Sequence, residues 1–324
     1  MNRLEAITRM NDYGKNRTPF FFIISFNLES CVVISPEETA ARRILFNFNN
    51  LHYNYSLDSD KPDLLRLNKQ PVSFTEYSKA FDIVQKHLNR GNSYLVNLTF
   101  PTPVQINESL KSIFHGVKAK YRILYEDQFV AFSPETFVQI KDGSIYTFPM
   151  KGTIDAAKPD AKELLLENKK EQAEHATIVD LLRNDLSRVA TNVKVEKFRY
   201  VDEIKSTEKS LLQVSSKISG KLPDNHCENL GSIIFELLPA GSISGAPKTK
   251  TLEIIHEAET YNRGFYTGIA GFFDGENLDS CVLIRYIENM NGQYFYKSGG
   301  GITTQSVLEE EYQELIDKIY VPFG

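Results

Sequence analysis

The stretch GIAGFFDGENLDSCVLIRYIENMNGQYFYKS, residues 268–298, decides the fold class. Apolar runs at 268–273, 279–287 and 293–298 are separated by Asp274-Gly275 and Asn291-Gly292. Such pairs supply the positive φ angles that short hairpin loops need. Strands joined by so few residues pair antiparallel, because a parallel return needs a crossover of a dozen residues or more. Upstream, strands at 129–132, 136–140 and 144–148 follow the same rule, with a turn at Asp142-Gly143. Helical periodicity is interspersed. Phe74, Tyr77, Phe81, Val84 and Leu88 recur at three and four residues after a Ser73/Glu76 capping box, and Gly91 ends that helix. Further helices are expected over Glu163–Val189, from Cys227 to Leu238, after Pro247, and over 307–319 behind a Ser306/Glu309 capping box. A strand is expected at Tyr94–Phe100. Two apolar strands broken at Asn27 fill 20–34, an asparagine-rich polar stretch follows at 47–60, and Lys61-Pro62-Asp63 begins a loop. The reading is α+β with largely antiparallel or mixed sheets. Without internal repeats or a low-complexity linker, one domain is expected over 1–324, with 1–72 a short N-terminal part and 73–320 the core.

Composition narrows the function. The chain has 324 residues, 41% hydrophobic and 24% charged, with a formal net charge of -5. That describes an ordinary folded protein and argues against a nucleic-acid or membrane surface. An anionic ligand would need positive groups gathered locally. No apolar run nears the ~20 residues of a membrane span, and the polar start Met1–Arg17 lacks a signal-peptide core. The three cysteines, Cys31, Cys227 and Cys281, are odd in number and lack metal-ligand spacing. Cys281 lies in an apolar run and reads as a buried thiol. A cytoplasmic, reducing compartment is the expectation.

Two helices each place a carboxylate pair three residues apart, Glu171 with Glu174 and Glu311 with Glu314, on one face each. Carboxylates beside a core are costly unless paired or bound to a cation, and oxygen ligands from two helices suit magnesium. A pair of solvated helix faces gives the same pattern. Gly241-Ser242-Ile243-Ser244-Gly245-Ala246-Pro247-Lys248 is a glycine-rich turn feeding a helix, with Pro247 at its first position. It is not a phosphate loop, which needs glycine before the lysine; a carboxylate cradle is the functional reading. Gly299-Gly300-Gly301 permits close backbone approach between a strand and the last helix, or forms a flexible loop. Lys151, after a strand and beside Gly152, becomes an amine nucleophile if its pKa is lowered, and is otherwise an exposed loop lysine. Glu135 reads as an acid or base, or as a turn carboxylate. Arg285, in an apolar run, requires a carboxylate partner, from protein or ligand.

Together these segments resemble the chorismate-using enzymes over residues 73–320. The resemblance is carried by Ser133-Pro134-Glu135, Pro149-Met150-Lys151-Gly152-Thr153, Ala173-Glu174-His175 through Ile178-Val179-Asp180-Leu181-Leu182-Arg183-Asn184-Asp185-Leu186, the 241–248 turn, Ser298 to Ile302, and Glu311-Tyr312-Gln313-Glu314. It implies two packed mixed or antiparallel β-sheets with helices outside and the active site in the cleft between. It implies Glu174 and Glu314 as Mg2+ ligands, with Glu171 and Glu311 as neighbours, and a metal that holds the ring carboxylate of chorismate. Ser242 and the 241–245 backbone, including Gly245, would assist. Tyr266, Arg285, Gly299, Gly300, Gly301 and Lys318 would hold the enolpyruvyl side and balance charge. The resemblance is closest to aminodeoxychorismate synthase component I, the large subunit of para-aminobenzoate synthase in the folate route. There a lysine at the Lys151 position attacks the ring while Glu135 protonates the departing hydroxyl; other branches usually carry alanine there. Leu95 replaces the lysine of water-activating branches and the glutamine common in aminating ones. Leu212 stands where a histidine is common, so anthranilate elimination is disfavoured. A separate glutamine amidotransferase (glutaminase) subunit is implied as the ammonia source. Anthranilate synthase component I and a non-catalytic chorismate-binding scaffold are the competing expectations.

Overall fold

The computed structural model describes residues 1–56, 65–205 and 210–323; the loop expected from Lys61-Pro62-Asp63 lies outside the described residues. Two sheets face each other. The first runs, in spatial order, Met150–Asp155, Ser210–Lys221, Ser144–Thr147, Thr136–Lys141, Leu278–Val282, Ile269–Phe273, Phe20–Ile24 and Cys31–Ile34, with Thr191–Lys205 also paired to Ser210–Lys221. The second runs Gly245–Ala246, Leu95–Ile106, Gln293–Ile302, Tyr286–Met290, Phe129–Ser133, Tyr121–Tyr125, Ile44–Phe48 and His52–Tyr53, with Leu67–Lys69 on the flank of Leu95–Ile106. The antiparallel expectation from the hairpins holds. Asn291 and Gly292 both take positive φ and turn Met290 onto Gln293, while Asp274 Oδ1 accepts from the N–H groups of Glu276 and Asn277 in the other turn.

The strand Phe20–Ile24 shows why its run is apolar throughout: successive side chains point to opposite faces, and both faces are covered. Phe20, Phe22 and Ile24 join a core with the helices Arg3–Lys15 and Leu230–Leu237. Phe21 and Ile23 point between the sheets, against Phe46, Phe48, Tyr121, Phe129 and Cys281. On the outer face of the second sheet, the helices Phe74–Asn89, Lys248–Ala258 and Leu308–Asp317 bury Tyr77, Phe81, Ile254 and Leu315 against Val96, Leu98 and Ile302. The three cysteines are free and buried. No helix among the described residues is long and apolar enough to cross a membrane.

Several local expectations are corrected. The long helix over Glu163–Val189 is two helices, Ala161–Glu167 and Lys169–Leu186; Asn168 breaks the run because its side chain accepts from the Glu171 N–H and caps the second. Pro247 is the N-cap of Lys248–Ala258 and not its first helical residue. Glu309 forms no capping box with Ser306: the cap is Val307, and the Ser306 hydroxyl donates to Glu311 Oε1 at 2.7 Å. The three glycines form no loop. They lie inside the strand Gln293–Ile302, paired with Leu98, Thr99 and Asn97.

The largest correction concerns 279–287. This run is two strands belonging to opposite sheets, Leu278–Val282 in the first and Tyr286–Met290 in the second, joined by Leu283-Ile284-Arg285. A second crossing lies beside it. Pro134-Glu135 joins Phe129–Ser133 of the second sheet to Thr136–Lys141 of the first. The crossings are bonded to each other: the Val282 N–H donates to Glu135 O at 3.1 Å, and the Phe132 N–H donates to Arg285 O at 3.0 Å. Arg285 takes φ +52, a left-handed angle that non-glycine residues adopt seldom and at some cost.

Candidate active site

The crossings open into a cavity of about 1020 Å³, at the upper end of small-molecule sites. Glu135, Lys151, Glu171, Ser242, Tyr266, Arg285, Gly299, Gly301, Glu314 and Lys318 line it. Residues separated by up to 183 positions in the chain are thus brought to one wall-lined space by the two sheets and three helices, the third being the short Gly241–Ser244 that carries Ser242.

Each group has an identifiable holder. Glu135 sits in its crossing and accepts from the Ser242 hydroxyl at 2.5 Å. Burial raises its pKa, against the opposing pull of Ser242, Arg285 and Lys318. A raised carboxyl is suited to donating a proton near neutrality. Arg285 lies in the neighbouring crossing, its guanidinium 5.3 Å from the Tyr320 ring centroid. Among the described residues no protein carboxylate pairs with it, and its Nε has no hydrogen-bond partner. Glu135 is the acid that feels its charge, without a direct ion pair; such a guanidinium is chemically suited to a carboxylate. Tyr266 is buried in the adjoining wall, and burial pushes its hydroxyl pKa up, so it stays a neutral donor.

Lys151 projects from the edge strand Met150–Asp155, and its Nζ meets Glu174 Oε2 of the long helix at 2.7 Å. Burial alone would lower its pKa, but Glu174, Glu171 and Glu314 together outweigh burial and raise it. The lowered pKa expected for a nucleophile is therefore absent in this state, in which Lys151 is an ammonium. Lys318 differs: burial lowers its pKa despite its contact with Glu314 Oε1 at 2.5 Å, and it also donates to Gly299 O at 2.8 Å.

Of the four glutamates, one from each helix lines the cavity, Glu171 and Glu314; Glu174 and Glu311 lie outside its lining. A Cβ added to Gly152 would lie 3.3 Å from Glu171 Oε2, and one added to Gly300 would lie 3.4 Å from Glu311 Oε2 and 3.5 Å from Glu314 Oε1. Gly300 is thus the floor under the second pair. The donor set is all carboxylate oxygen, which fits a hard cation such as Mg2+. Among the described residues, no three ligating groups converge closely enough to hold an ion, and Glu174 and Glu314 are each engaged by a lysine.

One expected residue, Gly245, has another role. Gly245 does not line the cavity; at φ +123, an added Cβ would strike Leu95 O at 1.9 Å, so its glycine serves strand pairing. Gly299 does line the cavity, and a Cβ on it would also meet Leu98 O at 2.4 Å across the sheet. Leu212 pairs with Ile154 and lies off the cavity, whereas its neighbour Gln213 lines it, as strand alternation requires. Asn97, Thr136, Asp185 and Gln213 also line the cavity and were not anticipated there. Only Asp185 carried a signal, as the last acid of a quoted motif.

Comparison with known proteins follows this geometry. The chain matches the chorismate binding enzyme family over residues 32–323. An uncharacterized PabA-like protein of Haemophilus influenzae is 50% identical over 316 residues, covering 98% of this chain and 96% of that protein. Aminodeoxychorismate synthase component 1 of Escherichia coli is 34% identical over 266 residues, covering 75% of this chain and 56% of that longer protein. The menaquinone-specific isochorismate synthase MenF of Escherichia coli superimposes with a TM-score of 0.72 at 16% identity, covering 97% of this chain and 80% of MenF; that likeness concerns the fold alone. The two-sheet cleft and the matched length together establish that this chain belongs to the chorismate binding enzyme family.

Proposed function

We propose that the chain is the ring-aminating component of an aminodeoxychorismate synthase, converting chorismate and ammonia to 4-amino-4-deoxychorismate and water. The observation that carries this reading is Lys151 at the wall of the cavity, where an amine reaches a bound ring from the strand Met150–Asp155. In the proposed reaction Lys151 first passes its ammonium proton to Glu174, 2.7 Å away; the neutral amine then forms a bond to C2, the ring double bonds shift, and the C4 hydroxyl leaves as water with the proton held by Glu135. Ammonia then bonds to C4 as the C2–nitrogen bond breaks, the lysine amine is restored, and the proton shed by the new ammonium group returns to Glu135. Arg285 and Tyr266 hold a carboxylate of the substrate, and Lys318 balances its charge. Glu174 and Glu314, with Glu171 and Glu311, would hold Mg2+, which supplies a Lewis acid for the ring carboxylate. A glutamine amidotransferase partner would supply the ammonia, as the name component 1 of the related synthases invites.

The test is an assay with chorismate, Mg2+ and ammonium, the amino product being followed by coupling to a lyase that releases para-aminobenzoate. Coupled product supports the reading. Anthranilate fluorescence in its place assigns the chain to anthranilate synthase. Chorismate binding with no turnover by any route assigns it to a scaffold role.

A further inference from the structure

The lysine that ends the glycine-rich turn has no place in the chemistry above. The turn, residues 238–247, runs from the end of the helix Leu230–Leu237 to Lys248. Lys248 Nζ donates to Leu237 O at 2.8 Å, tying the two ends of the turn together. The same ammonium pairs with Asp185 Oδ2 at 2.9 Å, with side chains only 15% and 10% exposed. Asp185 in turn packs on Gly241: a Cβ there would lie 2.8 Å from Asp185 Oδ2. The next residue is Ser242, whose hydroxyl reaches Glu135. The far side of the turn has its own anchors, Arg263 Nη1 on Ile243 O at 3.2 Å and the Tyr94 N–H on Ala246 O at 2.9 Å. On the side that precedes Ser242, Leu237 and Ala240 pack into the core, and the side-chain polar anchor among the described residues is the Asp185–Lys248 pair.

We propose that Asp185 and Lys248 are positioning residues that clamp the 238–247 turn so that Ser242 meets Glu135. The lysine that resembles a phosphate-loop lysine thus serves the protein's own carboxylate. Lys248 does not line the cavity, and it acts through Ser242. The inference rests on Glu135 as the proton donor.

Three kinds of measurement decide it. In a crystal structure of Lys248→Met, with Lys248→Gln as the alternative should Met not fold, Ser242 Oγ moves beyond about 3.5 Å from Glu135 Oε1, outside hydrogen-bond reach. Retention of the contact overturns the proposal, whatever the activity. In turnover, read as chorismate consumption, Lys248→Met lowers kcat roughly 10-fold or more with little change in KM, and Lys248→Arg restores it. The Ser242→Ala/Lys248→Met double variant is no worse than Ser242→Ala; additive losses overturn the proposal. The groups facing Glu135 are Ser242, Arg285, Lys318, Tyr266 and Cys281. Of these only Ser242 is displaced, and its bond favours the ionised acid. The limb of the pH profile set by Glu135 therefore moves to higher pH, as it does in Ser242→Ala; a uniformly lowered, unmoved profile overturns the proposal. Glu135→Gln separates the two readings. Full turnover in that variant removes Glu135 as the acid, while the crystallographic distance still decides the clamp.

Discussion

Lys151 and Glu174 lie 2.7 Å apart, bridging the edge strand of one sheet to the helix that packs on it. One side chain is the proposed nucleophile, and the other is a proposed metal ligand. Their contact ties the two halves of the chemistry together, since a cation at Glu174 competes with the ammonium for the same oxygen.

Lys151→Met is expected to lose aminodeoxychorismate formation by about 10²-fold or more, as removal of a covalent nucleophile does. Lys151→Arg is not expected to rescue it, because a guanidinium stays protonated. Coupled para-aminobenzoate release measures both, and full product formation by Lys151→Met would exclude the covalent route.

Glu135 gives a pH prediction for stability. Its pKa is raised in the folded chain, chiefly by burial. The protonated acid is therefore the form that the fold prefers. Stability from this group is fully present below the unfolded-state pKa and is lost as pH rises through the folded value. Glu135→Gln has no ionised form. Its thermal midpoint is expected to gain on the wild type as pH rises from acid to neutral, while turnover falls about 10²-fold or more. A midpoint difference that does not vary with pH would contradict the assignment.

Magnesium is expected to be required. Chelation should abolish turnover and addition of Mg2+ should restore it. Glu314→Gln, which removes one oxygen of the pair over Gly300, should weaken Mg2+ binding by roughly 10-fold or more, by the weight of one charged oxygen ligand on a hard cation. Calorimetric titration of the substrate-loaded protein measures this; unchanged affinity would remove Glu314 from the ligand set.

Arg263 and Glu259 form a bidentate pair with Nε–Oε2 at 2.8 Å and Nη2–Oε1 at 2.6 Å, and their side chains are 2% exposed. The arginine also donates to Asn97 O and Ile243 O, both from cavity-lining residues. Glu259→Gln leaves a buried guanidinium without its counter-charge, at a cost of about 3–5 kcal/mol. Chemical denaturation should show that loss, and a change under about 1 kcal/mol would show the pair to be dispensable.

The sequence made the antiparallel hairpins legible because Asn291-Gly292 and Asp274-Gly275 require particular backbone angles whatever surrounds them. It hid the crossing at 283–285 because Leu283, Ile284 and Arg285 continue an apolar run. Only the three-dimensional path, with its positive φ at Arg285, divides that run between two sheets. The glycine triplet read either as a close-approach segment after the strand or as a loop, because strand membership is set by its partner, Leu95–Ile106, some 200 residues away. The long pair of strands Thr191–Lys205 and Ser210–Lys221 passed unrecognised although Val193 and Val195 alternate, since charged residues dominate the exposed face. The site residues were legible as types, and their grouping in one cleft through the resemblance, but their individual contacts were not. That Glu135 accepts from Ser242, and that Lys151 is charged beside Glu174, depend on contacts between segments distant in the chain.

The paired crossings at 134–135 and 283–285 have a consequence for how ligands are chosen. Each is only two or three residues long, and each is fastened to the other by backbone bonds. The sheets therefore cannot slide or hinge apart along that seam without tearing it. The gap is then a gauge of set width, in which a ring must fit between the walls as they stand and adjustment is left to lining side chains such as Tyr320.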